Sequence, residues 1–333
     1  MDELEEYLLE QEPKVELTAQ QNEVVVAVGH GYAHSKIILM GEHAVVYDYP
    51  AIALPFNGVQ VHTKATFTQE KGSTIDCMYF NGPISQAPAS LNNIVRAIEL
   101  SLQSLKINIA IHTQIESTIP QERGMGSSAA VAVSVIRAIY DLFDQPLDDN
   151  QLQFIANQAE VIAHESTSGL DTLLASSNQP YIYRKSKPAL AFALKLEAYL
   201  VVADSGQAGQ TKLAVQKVMK RRQENPEFSE SILTAIGQFV TQAFDAINAG
   251  DVQSLGRLMT YNHYYLNQLG VSNERLDIIV NAAWQAGALG AKLTGGGLGG
   301  CVIALAETKG DAIAIAHAMQ EAGAIQSWYI PLH

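Results

Sequence analysis

Cysteine is scarce in this sequence: Cys77 and Cys301 are the two among 333 residues, and they form no CxxC pair. Two distant cysteines exclude a disulfide framework and a cysteine zinc site, and they fit a reducing compartment. The chain also lacks a Gly-Lys dipeptide, which excludes a Walker-type P-loop. Long apolar runs are missing as well, because AAVAVSVIRAIY is broken by Arg137 and GGCVIALA is too short to span a bilayer.

Positive charge is also scarce. The chain has 21 Lys and Arg against 34 Asp and Glu, so its formal net charge is −13. Nucleic acid and anionic membranes repel such a chain unless a basic patch overrides the total, and the densest basic cluster is only KVMKRR at 217–222. The opening residues, MDELEEYLLEQEPK, lack the basic-then-apolar order of a secretory signal. We therefore expect a cytoplasmic protein that binds neither nucleic acid nor membranes, and the sequence leaves a homodimer open.

Length and composition favour two closely packed domains. Hydrophobic residues make up 47% of the chain and charged residues 17%, which allows a substantial core. We expect an acidic N-terminal extension over residues 1–22, an N-terminal domain over 23–190 and a C-terminal domain over 191–333. The N-terminal pattern mixes strands and helices, and its first two apolar runs, separated by Gly29 and Gly31, predict a hairpin or a strand–loop–strand. The C-terminal pattern is a strand, two or three helices, a strand, a helix and a strand, so the fold class is α+β.

Glycine loops supply the first candidate site. Gly295, Gly297 and Gly300 satisfy the spacing GxGxxG, but they run directly into the apparent strand CVIALA. The dinucleotide fingerprint requires a helix after the glycines, so we reject that interpretation. In IPQERGMGSSAAVAVSVI, by contrast, Gly124 and Gly126 precede an apolar helix that opens on two serines. The exposed N–H groups and positive dipole end of such a helix suit a phosphate chain, although glycine and serine before a helix are also ordinary capping residues.

Acidic and basic side chains supply the second candidate. Glu160 lies beside an apolar helical stripe, and Asp171 follows eleven residues later, beyond a Ser-Gly turn. Two such carboxylates could converge on one metal ion or one reacting hydroxyl, although each alone is more often solvated or a helix cap. In YAHSKIILMGEHAVVY, Lys36 precedes an apolar run that Glu42 and His43 follow. A single lysine or histidine in such a place is usually a surface or a structural residue.

Taken together, these segments resemble a known family. SKIILMGEHAVVY, PQERGMGSSAA, SGLD and KLTGGGLGGC match, in order, the three-motif signature of the GHMP kinase superfamily of galactokinases, homoserine kinases, mevalonate kinases and phosphomevalonate kinases. The resemblance spans roughly residue 24 to the C-terminus. GEHAVVY followed by PAIALP is similar to the mevalonate kinases, and ERGMGSSAA and KLTGGGLGGC are most similar to the bacterial ones. The family commonly has Pro-Gly before its motif-one lysine, whereas this chain has His34-Ser35.

The resemblance implies a two-domain GHMP kinase fold. Its N-terminal mixed β/α domain would be similar to domain 2 of ribosomal protein S5, and its C-terminal domain would be a ferredoxin-like α/β sandwich. The implied reaction is phosphorylation of the primary hydroxyl of mevalonate in isoprenoid precursor biosynthesis, with ATP as co-substrate and Mg²⁺ as cofactor. The alternatives are a phosphomevalonate kinase or other GHMP small-molecule kinase, and, in another class, a non-catalytic GHMP-fold ligand sensor.

The resemblance also implies roles for individual residues. Asp171 matches the catalytic base, Lys36 matches the lysine paired with it, and Ser128 and Glu160 match the Mg²⁺ ligands. The implied ATP-binding residues are Pro120, Arg123, Gly124, Met125, Gly126, Ser127, Ser128 and Ala129. The implied substrate-binding residues are Glu42, His43, Ser205, Thr211, Gly296 and Gly297.

Overall fold

The computed structural model describes residues 27–164 and 169–332. The predicted acidic extension, residues 1–22, lies outside the described residues, as does Ser168 of the SGLD motif. The described residues form eleven strands and nine α-helices. The strands are β1 (Val28–Met40), β2 (Ala51–Phe67), β3 (Thr74–Cys77), β4 (Phe80–Pro83), β5 (Ile111–Ser117), β6 (Tyr181–Arg184), β7 (Lys187–Ala191), β8 (Tyr199–Asp204), β9 (Gly290–Thr294), β10 (Cys301–Ala306) and β11 (Gln326–Pro331). The helices are α1 (Asn92–Leu105), α2 (Ser127–Leu142), α3 (Asp149–His164), α4 (Leu170–Ser176), α5 (Thr211–Glu224), α6 (Pro226–Ala249), α7 (Val252–Gln268), α8 (Glu274–Gln285) and α9 (Lys309–Glu321).

The described chain divides into two compact units. The first contains residues 27–33, 61–117 and 131–164, and the second contains 34–60, 118–130 and 169–332. The elements β1, β2 and α2 contribute residues to both. Because these units are discontinuous in sequence, they do not test the predicted continuous domains, 23–190 and 191–333, which stay a prediction.

In the first unit, the end of β2 pairs antiparallel with β5, β5 pairs parallel with β3, and β3 forms a hairpin with β4. Helices α1 and α3 pack against each other. The predicted break at Gly29 and Gly31 is wrong, since β1 runs through both as one strand. A Cβ atom on Gly29 would lie 2.1 Å from the carbonyl oxygen of Ala138, and one on Gly31 would lie 1.9 Å from that of Ser134. The glycines therefore allow the strand to approach helix α2 closely, which is a packing role rather than a turn.

In the second unit, four antiparallel strands form a sheet in the order β11-β8-β10-β9. Helices α7, α8 and α9 contact this sheet, α6 packs on α7, and α5 packs on α6. The buried core between them is aliphatic, and β9 and β10 are buried along their whole length. The order of elements is β8, the four helices α5 to α8, β9, β10, α9 and β11, which agrees with the predicted α+β class. The structure has four helices where the sequence predicts two or three, and the two strands β9 and β10 where the sequence predicts one. The helices in the described part of the chain are each too short or too polar to cross a bilayer.

Candidate active site

A lysine–aspartate pair, 135 residues apart in sequence, is the first feature of the candidate site. Lys36 lies on β1, and Asp171 lies in the first turn of α4, which begins after Gly169 in a left-handed conformation with φ 74°. The Lys36 Nζ atom is 3.2 Å from Asp171 Oδ1, with the lysine side chain 6% exposed and the aspartate side chain 44% exposed. A buried cation therefore faces a carboxylate that solvent, and thus a small molecule, can reach.

The strand that carries Lys36 is tied to the glycine loop before α2. The Lys36 N–H and the Ser35 hydroxyl both donate to the carbonyl oxygen of Met125, at 3.0 Å each. A Cβ atom on Gly126 would lie 2.9 Å from Lys36 Cγ, so the lysine stem packs directly on this glycine. Ser35, which stands where the family commonly has glycine, thus adds a second hydrogen bond between the lysine strand and the loop.

The loop itself is shaped for the start of a helix. Gly124 and Gly126 both have φ 72°, a conformation that glycine adopts without strain. The first hydrogen bond of α2 runs from Ala130 N to the carbonyl oxygen of Gly126. Ser127 and Ser128 form the half-buried first turn. The positive end of the helix dipole therefore lies at the serines, as the phosphate-loop prediction requires.

Glu42 forms a buried ion pair that the sequence did not predict. Its Oε1 atom accepts a hydrogen bond from Lys292 Nζ, and neither side chain is exposed. Lys292 Nζ also donates to the carbonyl oxygen of Leu293 at 2.7 Å, and Asn262 Nδ2 donates to Glu42 Oε2 at 3.5 Å. Burial raises the pKa of Glu42 and lowers the pKa of Lys292, and in each case the partner's charge opposes the shift. Both carboxylate oxygens of Glu42 are therefore engaged by other side chains of the same unit.

His43 connects the end of β1 to the glycine turn after β9. Its Nε2–H donates to the carbonyl oxygen of Gly296 at 2.8 Å, and its backbone has φ 61°. Burial lowers the pKa of His43 to about 4, and the nearby positive charge of Lys292 acts in the same direction. The imidazole is therefore neutral at pH 7 and fixed as the Nε2–H tautomer.

These residues meet around a cavity of about 190 Å³. It brings together eight of the predicted site residues: Lys36, Glu42, His43, Gly124, Gly126, Asp171, Thr211 and Gly296. The other lining residues are Ile38, Val45, Val46, Val215 and Gly295. A larger cavity of about 980 Å³ lies along α5 and α6 and contains none of the predicted residues.

Several other predicted residues lie outside that lining. Ser205 is buried, and its hydroxyl accepts a hydrogen bond from Gln207 N at 3.3 Å. Gly297 packs against the carbonyl oxygen of Val271, and a Cβ atom on Gly297 would lie 2.2 Å from that oxygen. The glycine loop and the start of α2, rather than the wall of the cavity, contain Pro120, Arg123, Met125, Ser127, Ser128 and Ala129. Glu160 lies in the first unit, on α3, and is 4% exposed.

Three residues of this region were missed from the sequence: Lys292, Asn262, and Asp204, whose Oδ1 atom accepts a hydrogen bond from Arg123 Nε. Lys292 is the one charged residue of a short buried strand directly before the glycine turn. A charged residue in such a strand is seldom buried without a partner, so that pattern could have indicated a buried ion pair. Asn262 and Asp204 carry no comparable local signal.

Comparison with known proteins places the chain in a family. The chain matches the GHMP kinases N terminal domain over residues 92–178 and the GHMP kinases C terminal domain over residues 243–325. It is 36% identical over 296 residues to a mevalonate kinase from Pyrococcus horikoshii, which covers 82% of this chain and 87% of that protein.

Solved structures agree with that likeness. The crystal structure of L. major mevalonate kinase in complex with R-mevalonate is similar with a TM-score of 0.80 and 28% identity, covering 92% of this chain and 98% of that one. Mevalonate kinase from methicillin-resistant Staphylococcus aureus MRSA252 gives a TM-score of 0.71 and 29% identity, covering 92% and 99%. The predicted GHMP kinase fold and ATP-dependent kinase activity are thereby confirmed. The chain belongs to the mevalonate kinase family of the GHMP kinases.

Proposed function

We propose that this chain transfers the terminal phosphoryl group of ATP to the primary hydroxyl of mevalonate, giving 5-phosphomevalonate and ADP. The observation that carries the proposal is the Lys36–Asp171 pair, with its 3.2 Å contact at the wall of a small cavity. The acceptor is inferred from the mevalonate kinases to which the chain is similar, and mevalonate is small enough to fit such a cavity.

The proposed chemistry needs positioning and charge neutralisation more than covalent catalysis. Phosphoryl transfer passes through a loose transition state with charge spread over the phosphoryl oxygens. Asp171 orients the acceptor hydroxyl and takes its proton as the new O–P bond forms and the bond to the ADP oxygen breaks. Lys36 neutralises the negative charge that Asp171 and the phosphoryl oxygens bring together. The N-terminus of α2 and the backbone from Pro120 to Ala129 hold the remaining phosphates.

The Mg²⁺ ion implied by the family has suitable donors in the chain. The Ser128 hydroxyl and the Glu160 carboxylate are hard oxygen ligands, and Mg²⁺ prefers one or two carboxylates completed by phosphate oxygens and water. When bound, Mg²⁺ neutralises charge on the phosphates during transfer. We propose these two residues as its protein ligands.

Replacing Glu160 tests this assignment. We expect Glu160→Gln to raise the Mg²⁺ concentration for half-maximal rate by about 10-fold or more, because an amide oxygen replaces a charged ligand. The measurement is ADP release during a Mg²⁺ titration at saturating ATP. Asp149→Asn, which removes an exposed carboxylate from the same helix, serves as the control and should leave the titration unchanged. An unchanged midpoint in Glu160→Gln would remove this residue from the metal site.

The acceptor is tested by a panel. Among the described residues that line the cavity, Lys36 is the one Lys or Arg, and it already pairs with Asp171. A phosphorylated acceptor brings a second anionic group that calls for cations of its own. We therefore expect kcat/KM for mevalonate to exceed that for phosphomevalonate, galactose and homoserine by a factor of about 10² or more.

The measurement is ADP release with each acceptor, corrected for the rate without acceptor. Faster transfer to phosphomevalonate would replace the proposed activity by that of a phosphomevalonate kinase. Transfer to none of the four would favour the non-catalytic ligand sensor.

A further inference from the structure

The guanidinium of Arg123, in the middle of the glycine loop, is directed at protein atoms. Its Nε donates to Asp204 Oδ1 at 2.7 Å, its Nη1 donates to the carbonyl oxygen of Gln121 at 3.2 Å, and its Nη2 donates to that of Gly206 at 3.2 Å. The arginine side chain is 16% exposed and the Asp204 side chain 3%. Hydrogen bonds between charged groups with so little access to water are among the strong ones in proteins.

Asp204 is itself fixed. It is the last residue of β8, and the Oδ1 atom that accepts from Arg123 also accepts from the backbone N–H of Gly206 at 2.8 Å. The arginine therefore joins the loop to the rigid end of a buried strand and to the turn that follows it.

Backbone contacts also hold the glycine loop against the segment after β8 and against the glycine turn after β9. The carbonyl oxygen of Glu122 accepts from Gly209 N at 2.6 Å. A Cβ atom on Gly300 would lie 2.9 Å from the Arg123 carbonyl oxygen, and one on Gly295 would lie 3.2 Å from Gly124 Cα. Glu122 also has φ 54°, a left-handed conformation that is uncommon for residues other than glycine and persists when the surroundings impose it.

We propose that Arg123 is a positioning residue: it locks the glycine loop onto Asp204 and thereby holds the N-terminus of α2 where it receives the phosphates of ATP. This rests on the proposed binding of ATP at the loop, and it changes the role of Arg123 from phosphate ligand to anchor. The cavity lining agrees, since it includes Gly124 and Gly126 but not Arg123.

A phosphate ligand and an anchor at Arg123 predict opposite effects of Asp204→Asn on the KM for ATP. If Arg123 were a phosphate ligand, Asp204→Asn would release its positive charge and leave the KM for ATP unchanged or lower. Lys is itself a good phosphate binder, so Arg123→Lys would then retain much of the affinity. If Arg123 is an anchor, both substitutions weaken the contact between Arg123 and Asp204. A lysine cannot reproduce the geometry of the guanidinium group, and an asparagine lacks the negative charge of the aspartate.

The experiment compares Arg123→Lys, Asp204→Asn and the double variant in steady-state kinetics. We expect each single variant to raise the KM for ATP by about 10-fold to 10²-fold, because a small displacement of the loop misplaces the phosphates. The double variant should be no worse than either single one, since both remove one shared interaction. The KM for mevalonate should change much less.

A matched control is the surface pair of Arg184 and Asp48. It has the same Nε–carboxylate arrangement at 3.3 Å, with side chains 44% and 39% exposed. Arg184→Lys and Asp48→Asn should leave the KM for ATP unchanged, because exposed pairs contribute little.

Hydrogen exchange without nucleotide provides a second readout that does not depend on activity. We expect faster exchange in peptides covering residues 118–130 in both single variants, with the sheet of β8 to β11 still protected. Unchanged exchange in both single variants, or a raised KM for ATP in Arg123→Lys alone, would contradict the anchoring role of Arg123. If the wild-type protein transferred no phosphate to mevalonate, the proposed function would fail, and the exchange result would still decide the role of Arg123.

Discussion

Asp171→Asn is expected to lower kcat by about 10²–10⁴-fold while ATP still binds. The amide keeps the size and polarity of the side chain but cannot take a proton from the acceptor hydroxyl. It also leaves Lys36, a buried ammonium, without the carboxylate 3.2 Å away. Because Asp171 is absent from the glycine loop and the α2 N-terminus, the affinity for nucleotide should change far less than the turnover.

Single-turnover ADP release and calorimetric titration with a non-hydrolysable ATP analogue separate the two effects. Asp245→Asn, which neutralises an exposed carboxylate on α6 in the same unit, is the control and should retain wild-type turnover. Near-normal turnover in Asp171→Asn would show that Asp171 is not the base. Loss of both turnover and nucleotide affinity would instead point to a disturbed site.

The parts of the site that could be predicted from the sequence are those that depend on residues close together in the chain. Gly124, Gly126 and the two serines after them indicate a loop and a helix start from local chemistry alone, and the structure has both. Lys36 and Asp171, in contrast, lie 135 residues apart, and no spacing rule brings them together. Their pairing followed from the resemblance of four segments to one family, and the 3.2 Å contact agrees with it.

What could not be predicted depends on contacts between distant segments. Glycine commonly ends strands, so Gly29 and Gly31 favoured a break, whereas close packing on helix α2 is visible only in three dimensions. The motif predicts a substrate-binding role for Glu42, and Glu42 does line the cavity. Its oxygens, however, face Lys292 and Asn262, which follow it by 250 and 220 residues.

Lys292→Met is expected to destabilise the second unit by about 3–5 kcal/mol, because it leaves the Glu42 carboxylate buried without its cation. Asn262 cannot compensate, since its single hydrogen bond of 3.5 Å carries no charge. Replacing both partners, as Glu42→Leu with Lys292→Met, should recover most of the loss, because a buried pair exchanged for apolar side chains costs little or nothing. Urea unfolding followed by tryptophan fluorescence suits the measurement, since the protein's two tryptophans, Trp284 and Trp328, both lie in the second unit.

The double variant also separates stability from function. Glu42 borders the cavity and precedes His43, whose imidazole donates to the Gly296 carbonyl, so restored stability need not restore phosphate transfer. Lys220→Met, which breaks an exposed pair with Glu224 at 3.7 Å, is the control and should not shift the urea midpoint. If Lys292→Met unfolded at the wild-type urea concentration, the Glu42 charge would have to be satisfied without Lys292. If the double variant stayed as unstable as Lys292→Met, the loss would come from packing around β9 rather than from an uncompensated charge.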